Sequence, residues 1–351
     1  MRKNSIFRMV LAALLALCLA GQAFAGGGGE KKSDSGDLPV IRVAVMPWLL
    51  SLPAVYLVEQ GWDVQNGFKV ELSTYPMGAP LLEAMGANLW DVGTIGSAAV
   101  FSVANTGLKI IGNISIASGG TGAFIRASHP AAKIKGQVSG LPDVYGNAAT
   151  LKGSKVLVPV GSLNHLNVLK WIDAVGLSAD DIQVVHMDNA ASFQAFKAGE
   201  GDITAFSPPL TYTAEAEGWV NGAGLPELKV DVYDCLYANP RVYNAKKELI
   251  AKFVKQFYRA CDYLAANPEF TAQRNYEWQN ANGLKATLEN AKTEVAVRPY
   301  VTSEQAKKEV PGQSMKMLAE FFISIGTLEK EKLASFNSET LTKEIIDMAL
   351  Q

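Results

Sequence analysis

A glycine and serine pair after a strand-like segment is the first feature of this sequence that could do chemistry. Residues 155–160 are mostly apolar and β-branched, Gly161 and Ser162 follow directly, and leucines then recur at helical spacing until Gly176. Ser162 is the expected N-cap, so unpaired backbone amides would gather at the positive end of a helix, where an anion is stabilised. A serine that only caps its helix is the alternative. The predicted contacts are Gly161, Ser162, Leu163, Asn164 and His165.

The same arrangement occurs earlier in the chain. A predicted strand ends at Gly93, a tight loop of Thr94, Ile95 and Gly96 follows, and Ser97 is expected to cap a helix that ends at Gly107. Two such helix ends that face each other would suit a ligand with an acidic group.

Aromatic side chains at strand ends are predicted to form pocket walls, with core packing as the alternative for each. Trp48 follows the first strand together with Leu49 and Ser51, and Phe206 and Tyr233 occupy comparable positions. Ser207 and Thr121 complete the predicted ligand-binding set.

Signatures of catalysis are scarce. The sequence has three histidines, His129, His165 and His186, with no pair at metal-ligand spacing, no G-x-S-x-G turn and no C-x-x-C. We therefore expect no metal, no cofactor and no enzyme activity, although His165 could serve as a general base. Arg126 is either a charge partner for an acidic ligand or part of a surface ion pair.

Short strand-like runs alternate with amphipathic stretches, which predicts an α/β fold with ligands at the carboxyl ends of the strands. Residues 82–97 and 194–207 form a weak internal repeat of helix, glycine, strand and small-residue loop. This repeat favours two similar lobes, although any α/β fold repeats such units. Strands are predicted at 41–46, 69–72, 90–93, 108–111, 155–160, 182–186 and 202–206.

From Tyr243 onward the pattern becomes helical, and these helices are predicted to return to the first lobe. Residues 38–125 and 236–351 would then form lobe 1, and 126–235 lobe 2, with two crossing strands as a hinge. Helices are predicted at 246–266, 271–281, 284–291, 303–322 and 328–333.

The amino terminus has the pattern of an export signal. Three basic residues among the first eight precede an apolar run at 9–20 and a small-x-small cleavage site at 23–25. The run is shorter than the roughly 20 residues of a spanning helix. We expect a signal peptide at 1–25, a flexible leader at 26–37 and a periplasmic protein, with a lipid anchor at Cys18 as the alternative.

Composition limits the partners. A formal net charge of −2 gives no broad basic face for nucleic acid. Cys235 and Cys261 remain after the predicted cleavage, and an oxidising compartment permits a disulfide. Two buried free thiols are the alternative that the sequence favours.

Four segments carry a family resemblance: 53–61, 82–96, 151–162 and 199–208. Together they resemble the nitrate, sulfonate and taurine binding proteins of ABC importers, in order over most of 40–268. The resemblance implies a two-lobed type II periplasmic binding protein fold with two crossover hinge strands. In that family the loops matching 161–165 and 94–97 hold an anionic head group from opposite lobes. Residues 131–150 depart from the family as an insertion.

The resemblance implies a monomer that binds a small-molecule ligand and presents it to an ABC importer permease. Two alternatives stay open on the same fold: a protein of pyrimidine-precursor binding or synthesis, and a sensor that presents its ligand to a membrane receptor. The sequence leaves sulfonates, nitrate, carboxylates and other small ligands open.

Overall fold

Apolar, β-branched segments build two five-stranded sheets in the computed structural model, which describes residues 38–351. The predicted signal peptide, the leader and Cys18 lie outside the described residues. The first sheet has the order β2-β1-β3-β10-β4. Its strands are β1 Val40–Val45, β2 Lys69–Thr74, β3 Val92–Ile95, β4 Lys109–Ile116 and β10 Tyr233–Ala238.

The second sheet has the order β7-β6-β8-β5-β9. Its strands are β5 Gly122–Ile125, β6 Lys155–Val158, β7 Gln183–His186, β8 Ile203–Phe206 and β9 Val220–Ala223. Strand order and direction match between the sheets: three parallel strands are followed by an antiparallel one, β10 in the first sheet and β5 in the second. The two sheets are therefore topologically equivalent.

The predicted internal repeat coincides with this equivalence. Its two copies contain β3 and β8, which hold the same place in their sheets. An aspartate just before each strand accepts a hydrogen bond from a backbone amide of the neighbouring strand: Asp91 from Arg42 at 2.9 Å, and Asp202 from Lys155 at 2.8 Å. The repeat thus reproduces a structural contact as well as a pattern.

Helices cover both sheets, and each sheet has its own apolar core. The long helix Lys247–Ala266 supplies much of the first core, including buried Phe253, Phe257 and Cys261. The α-helices are Leu52–Glu59, Trp62–Gln65, Gly78–Gly86, Val100–Thr106, Ala148–Leu151, Leu163–Ala174, Asn189–Lys197, Leu210–Ala216, Lys247–Ala266, Pro268–Ala281, Leu288–Val297, Ser303–Ala306, Gln313–Ser324 and Glu344–Ala349. The 3-10 helices are Leu49–Ser51, Ser97–Ala99, Pro130–Lys133, Ala179–Asp181 and Lys330–Ser335.

Most predicted elements are present, with shifted ends. The strand predicted at 90–93 runs over Val92–Ile95, because Trp90 is a buried core residue whose Nε1 donates to the Leu81 carbonyl at 2.8 Å. The helix predicted at 303–322 is interrupted before Gln313, where Pro311 precedes Gly312 with φ 82°. The segment at 328–333 forms a 3-10 helix over Lys330–Ser335.

Within residues 38–351 the chain crosses between the sheets twice, at residues 117–121 and 224–232. The two segments are bonded to each other: Ala117 N donates to Val232 O at 2.6 Å, and Thr121 Oγ1 accepts from Leu225 N at 3.2 Å. By sheet membership, β5 belongs with the second sheet and β10 with the first. The crossings therefore lie a few residues before the boundaries at 125 and 235 that the sequence predicts.

The lobes also touch away from the crossings. Leu166, from the Leu163–Ala174 helix of the second lobe, is 1% exposed and packs in the core cluster of the first. The His165 ring meets Phe321 edge to face, with centroids 5.6 Å apart. The described conformation is therefore one in which this helix closes onto the Gln313–Ser324 helix.

The predicted insertion at 131–150 packs onto the second lobe. Ala131 and Val144 are buried in its core, and the Tyr145 carbonyl accepts a hydrogen bond from Trp171 Nε1 at 2.9 Å. The segment therefore extends the core of this lobe.

Cys235 and Cys261 are both buried and free, as the sequence favours. Burial raises the pKa of both thiols. None of the helices within residues 38–351 is long and apolar enough to cross a membrane.

Candidate functional site

A pocket of about 350 Å³ lies between the two lobes. The second lobe contributes Pro208, Pro209 and Tyr212, which follow β8, and the first lobe contributes the rest of the wall. The lining residues are Trp48, Pro208, Pro209, Tyr212, Gln279, Leu284, Lys285, Ala286, Asn290, Glu294 and Arg298. A ligand in this space would contact both lobes at once.

Arg298 supplies positive charge to this pocket, as does Lys285. Arg298 caps the Leu288–Val297 helix, and its Nη1 lies 4.0 Å from Glu294 Oε1. Its Nε is buried and has no hydrogen-bond partner among the described residues. A buried donor without an acceptor costs free energy, so this N–H is suited to an acceptor on a bound molecule.

Two side-chain amides hold the carboxylate of Glu294 in place. Its Oε2 accepts hydrogen bonds from Asn275 Nδ2 at 2.9 Å and from Gln279 Nε2 at 3.0 Å. Because both amides bond to Oε2, the other oxygen, Oε1, is free to face Arg298. The carboxylate therefore orients the guanidinium and also places a negative charge at the edge of the pocket.

The end of the helix that carries Arg298 is fixed to the first crossing. A Cβ on Gly119 would lie 1.7 Å from the Val297 carbonyl oxygen, so only glycine permits this approach. A Cβ on Gly120 would lie 2.8 Å from Pro208 Cγ. The pocket thus adjoins the segment about which the lobes would rotate.

A second carboxyl group, that of Asp234, is buried in the first lobe on β10. It is 7% exposed and stands at the carboxyl end of β3, where a Cβ on Gly96 would be 3.0 Å from Oδ1. Its Oδ2 accepts from Ser115 Oγ at 3.1 Å, whereas Oδ1 has no hydrogen bond among the described residues. Burial raises the pKa of Asp234, while the nearby charge of Arg298 opposes that rise.

Tyr212 and Trp48 form opposite walls. Tyr212 Oη is buried and has no hydrogen-bond partner among the described residues. Burial raises the pKa of this phenol, as does the charge of Glu294. Trp48 is 39% exposed, so a large aromatic surface is open to a ligand.

Of the residues that the sequence predicts as ligand contacts, Trp48 is the one that lines this pocket. Thr94 and Ser51 are fully buried, with their hydroxyl oxygens 2.6 Å apart, and Ser51 Oγ also accepts from Met46 N at 2.8 Å. Leu49 and Ile95 are buried in the first core. These four residues are packed in the first lobe, and Ser51 bonds Met46 across the loop that carries Trp48.

Gly96 and Ser97 directly follow the carboxyl end of β3 and are partly exposed. Ser97 begins the 3-10 helix Ser97–Ala99, and no side-chain cap is formed there or at the following helix. The expectation that Ser97 caps a helix is therefore wrong. Gly107 does end that helix, with φ 68°.

The loop predicted to hold an anion in the second lobe has the expected local structure. Ser162 is the N-cap and its side chain accepts from His165 N at 3.2 Å. Gly161 N donates to His165 Nδ1 at 3.2 Å, and burial lowers the pKa of this histidine. Asn164 Oδ1 accepts from Ser207 Oγ at 2.8 Å, which joins this loop to the residue before Pro208. The partly buried Leu163 packs against the first core.

Phe206, Thr121 and Tyr233 do not line the pocket. Phe206 is fully buried in an aromatic cluster of the second lobe. Thr121 is buried in the first crossing, and burial raises the pKa of Tyr233 to about 12.

Arg126 donates to the carbonyls of Phe196, Glu200 and Gly201 at 2.7 to 2.8 Å, so its guanidinium is occupied at the end of a helix. Arg126 therefore bonds carbonyl groups rather than a carboxylate among the described residues, and a role towards an acidic ligand stays a prediction.

Sequence reasoning missed Tyr212, Glu294 and Arg298, which line the pocket. The one local signal was the spacing of Glu294 and Arg298, which are four residues apart, but that pattern is typical of any solvated helix face. No group of three or more potential metal ligands occurs within residues 38–351.

Comparisons with known proteins agree with this architecture. A relative from Brachyspira hyodysenteriae, named as a candidate ABC transporter periplasmic binding protein, is 36% identical over 350 residues and covers 100% of both chains. The aliphatic sulphonate binding protein SsuA of Escherichia coli has a TM-score of 0.65 at 17% identity, over 88% of this chain and 99% of its own. The nitrate-binding protein NrtA of Synechocystis PCC 6803 has a TM-score of 0.59 at 12% identity, over 89% of each chain.

The solved structures confirm the predicted two-lobed fold, and the relatives confirm a binding protein over an enzyme. Residues 34–275 match the model of the NMT1-like family, and the chain belongs to this family.

Proposed function

We propose that this protein captures a small, negatively charged ligand between its lobes outside the cytoplasm and delivers it to the permease of an ABC importer. The observation that carries the proposal is the pocket itself. Both lobes line it, and two buried polar atoms of its lining residues, Tyr212 Oη and Arg298 Nε, have no hydrogen-bond partner within residues 38–351. These atoms come from opposite lobes, so one ligand that satisfies both would hold the lobes together.

Capture follows from a difference in affinity between two conformations. A ligand favours the closed form only by contacts that the open form lacks. With the lobes apart, Tyr212 would move away from Arg298, because the two crossings at 117–121 and 224–232 are the covalent links between the sheets. Rotation about those segments would leave each lobe intact.

The relatives support the transport role. The Brachyspira relative is named for an ABC transporter, and the two structural neighbours bind a sulphonate and nitrate respectively. Sulfonates, nitrate and carboxylates are accordingly the first ligands to test. The protein would act as a monomer, after removal of the signal peptide before Gly26.

The first experiment is native mass spectrometry of freshly purified protein, to find a small molecule that co-purifies with it. Intact mass would show whether the chain begins at Gly26 or carries lipid at Cys18. Small-angle scattering should then show a smaller radius of gyration with the identified ligand than without it. An unchanged profile at saturation would contradict the closing cleft.

Two arginine variants form a matched test of the site. Arg298→Gln should weaken binding of the co-purified ligand strongly in calorimetric titration, because it removes a cation with an unpartnered donor, although Lys285 still lines the pocket. Arg126→Gln should bind normally but melt at a lower temperature, since Arg126 bonds three carbonyls within the second lobe. Loss of binding in the Arg126 variant alone would move the site to another place.

A further inference from the structure

Two histidines hold the loop that follows β6. Two successive backbone amides of this loop donate to imidazole nitrogens: Val160 N to His186 Nδ1 at 3.1 Å, and Gly161 N to His165 Nδ1 at 3.2 Å. An imidazole nitrogen accepts a hydrogen bond only while it carries no proton, and a protonated ring donates at both nitrogens. The loop therefore keeps these two contacts only while both rings are neutral.

Of the two rings, His165 is the one at the contact between the lobes. It is 5% exposed, whereas His186 is exposed to solvent. The Phe321 ring that meets His165 edge to face belongs to the first lobe, and the next residue along the helix, Leu166, is buried in the first core. The closed conformation thus shields this imidazole from water.

Charged neighbours do not favour a proton on this ring. Burial lowers the pKa of His165, and it is the one cause of that shift. Three ionisable side chains line a groove beside Leu166 and Phe321, yet none of them holds the proton on the ring. The titratable groups of the surrounding elements are Lys170 and Asp173 on the same helix, Lys316 and Glu320 on the Gln313–Ser324 helix, and His186 and Asp188 at and after the end of β7.

We propose that protonation of His165 opens the lobes, so that the protein loses its closed form in mildly acidic surroundings. In the closed form, an imidazolium lacks water and can no longer accept the hydrogen bond from Gly161. Once the lobes part, Phe321 moves away and water reaches the ring, so the open form takes up the proton more readily. The inference rests on the closing of the lobes in the proposed function and adds a means of regulating it.

The direction and size of the effect follow from proton linkage. The closed form binds fewer protons than the open form, so the closed form becomes less stable relative to the open form as pH falls. If the exposed ring has the ordinary pKa of 6.5, opening is favoured by at most about tenfold at pH 5.5 and hardly at all at pH 7.5. The apparent affinity for any ligand of the closed cleft falls by up to the same factor.

Small-angle scattering of the empty protein at pH 7.5 and pH 5.5 tests the opening without a ligand. The radius of gyration of the wild type should rise at pH 5.5. The radius of gyration of His165→Asn should keep the wild-type value of pH 7.5 at both pH values, because asparagine does not titrate and still offers an acceptor to Gly161.

His129→Asn is the matched control. His129 Nδ1 also accepts a hydrogen bond from a backbone amide, that of Ala131 at 3.2 Å, and burial lowers the pKa of this histidine as well. It begins the segment that packs onto the second lobe, away from the contact with Phe321. This variant should therefore expand at pH 5.5 as the wild type does.

A second measurement uses the reciprocal effect. Leu166→Ala removes a side chain that holds the lobes together and should favour the open form. Nuclear magnetic resonance titration of the imidazole protons should then show a higher pKa of His165, closer to 6.5, in Leu166→Ala than in the wild type. The pKa of His129 should be the same in both proteins.

Three results would overturn the inference. The first is a radius of gyration of the wild type that is equal at both pH values. The second is an expansion that persists in a His165→Asn protein shown by melting to be folded, or that His129→Asn abolishes. The third is an equal pKa of His165 in the wild type and in Leu166→Ala. Each of these would leave the proposed function standing, whereas absence of any bound small molecule at pH 7.5 would count against the function itself.

Discussion

Replacement of Tyr212 by phenylalanine separates stability from binding in this protein. The change removes one oxygen atom that is buried and has no partner among the described residues. An unsatisfied buried polar atom costs about 1 kcal/mol or more, so the ligand-free variant should be as stable as the wild type or more stable by about that amount. For a chain of this length, about 1 kcal/mol corresponds to a rise in melting temperature of roughly 1.5 °C.

The affinity should change in the opposite direction. Once Tyr212 Oη bonds to a ligand, its loss costs about 0.5 to 1.5 kcal/mol, which weakens binding by roughly twofold to more than tenfold. The assays are thermal melting without ligand and calorimetric titration with the co-purified ligand. Affinity equal to that of the wild type would remove Tyr212 from the site.

Tyr258→Phe is the matched control, because Tyr258 is also buried but its hydroxyl donates to the Asn113 carbonyl at 2.7 Å. This variant leaves a buried carbonyl with one partner fewer and should lose about 1 to 2 kcal/mol of stability. Its ligand affinity should be unchanged. If Tyr212→Phe destabilised the free protein as much as Tyr258→Phe does, the reasoning from an unpartnered hydroxyl would be refuted.

Three further predictions follow from the second-lobe loop and the thiols. Leu163→Pro and Leu163→Ala should lose similar packing stability, and both should keep the affinity of the wild type in titration, because residues 161–165 do not line the pocket; a loss of affinity in the proline variant alone would bring this amide into the site. Burial lowers the pKa of His165 from 6.5, so the unfolded chain takes up its proton first, and stability is lost as pH falls below about 6.5. Melting between pH 7.5 and 5.5 should therefore fall less in His165→Asn, and an identical slope would contradict a buried neutral ring. Cys235 and Cys261 should react with Ellman's reagent only after unfolding in guanidinium, whereas their failure to react even then would indicate a disulfide.

Local patterns were sufficient to predict the parallel strands and most helices. The strands β1, β2, β6, β7 and β8 are short β-branched runs between turn residues, which is the pattern that identifies buried parallel strands. The antiparallel strand β5, Gly122–Ile125, was predicted only as part of a crossing between the lobes, and β9, Val220–Ala223, was missed; both are short and rich in glycine and alanine. Their pairing is non-local, so nothing near them in the sequence indicates it.

The candidate site was predicted only in part, for a related reason. The loops after β3 and β6 were found because their chemistry is local: a glycine and a serine directly after a strand. Arg298 lies about two hundred and fifty residues after Trp48 in the chain, and the tertiary fold alone brings both to one pocket.

Leu166 has a consequence for the resting state of the protein. Its side chain is buried in the core of the opposite lobe, and burial of a leucine stabilises by about 1.5 to 3 kcal/mol without any ligand. A substantial fraction of empty molecules should therefore already be closed. The apparent affinity for a ligand is proportional to this closed fraction. Leu166→Ala would lower the closed fraction and so weaken the binding of every ligand by one common factor. Through this leucine, the strength of binding can change independently of the choice of ligand.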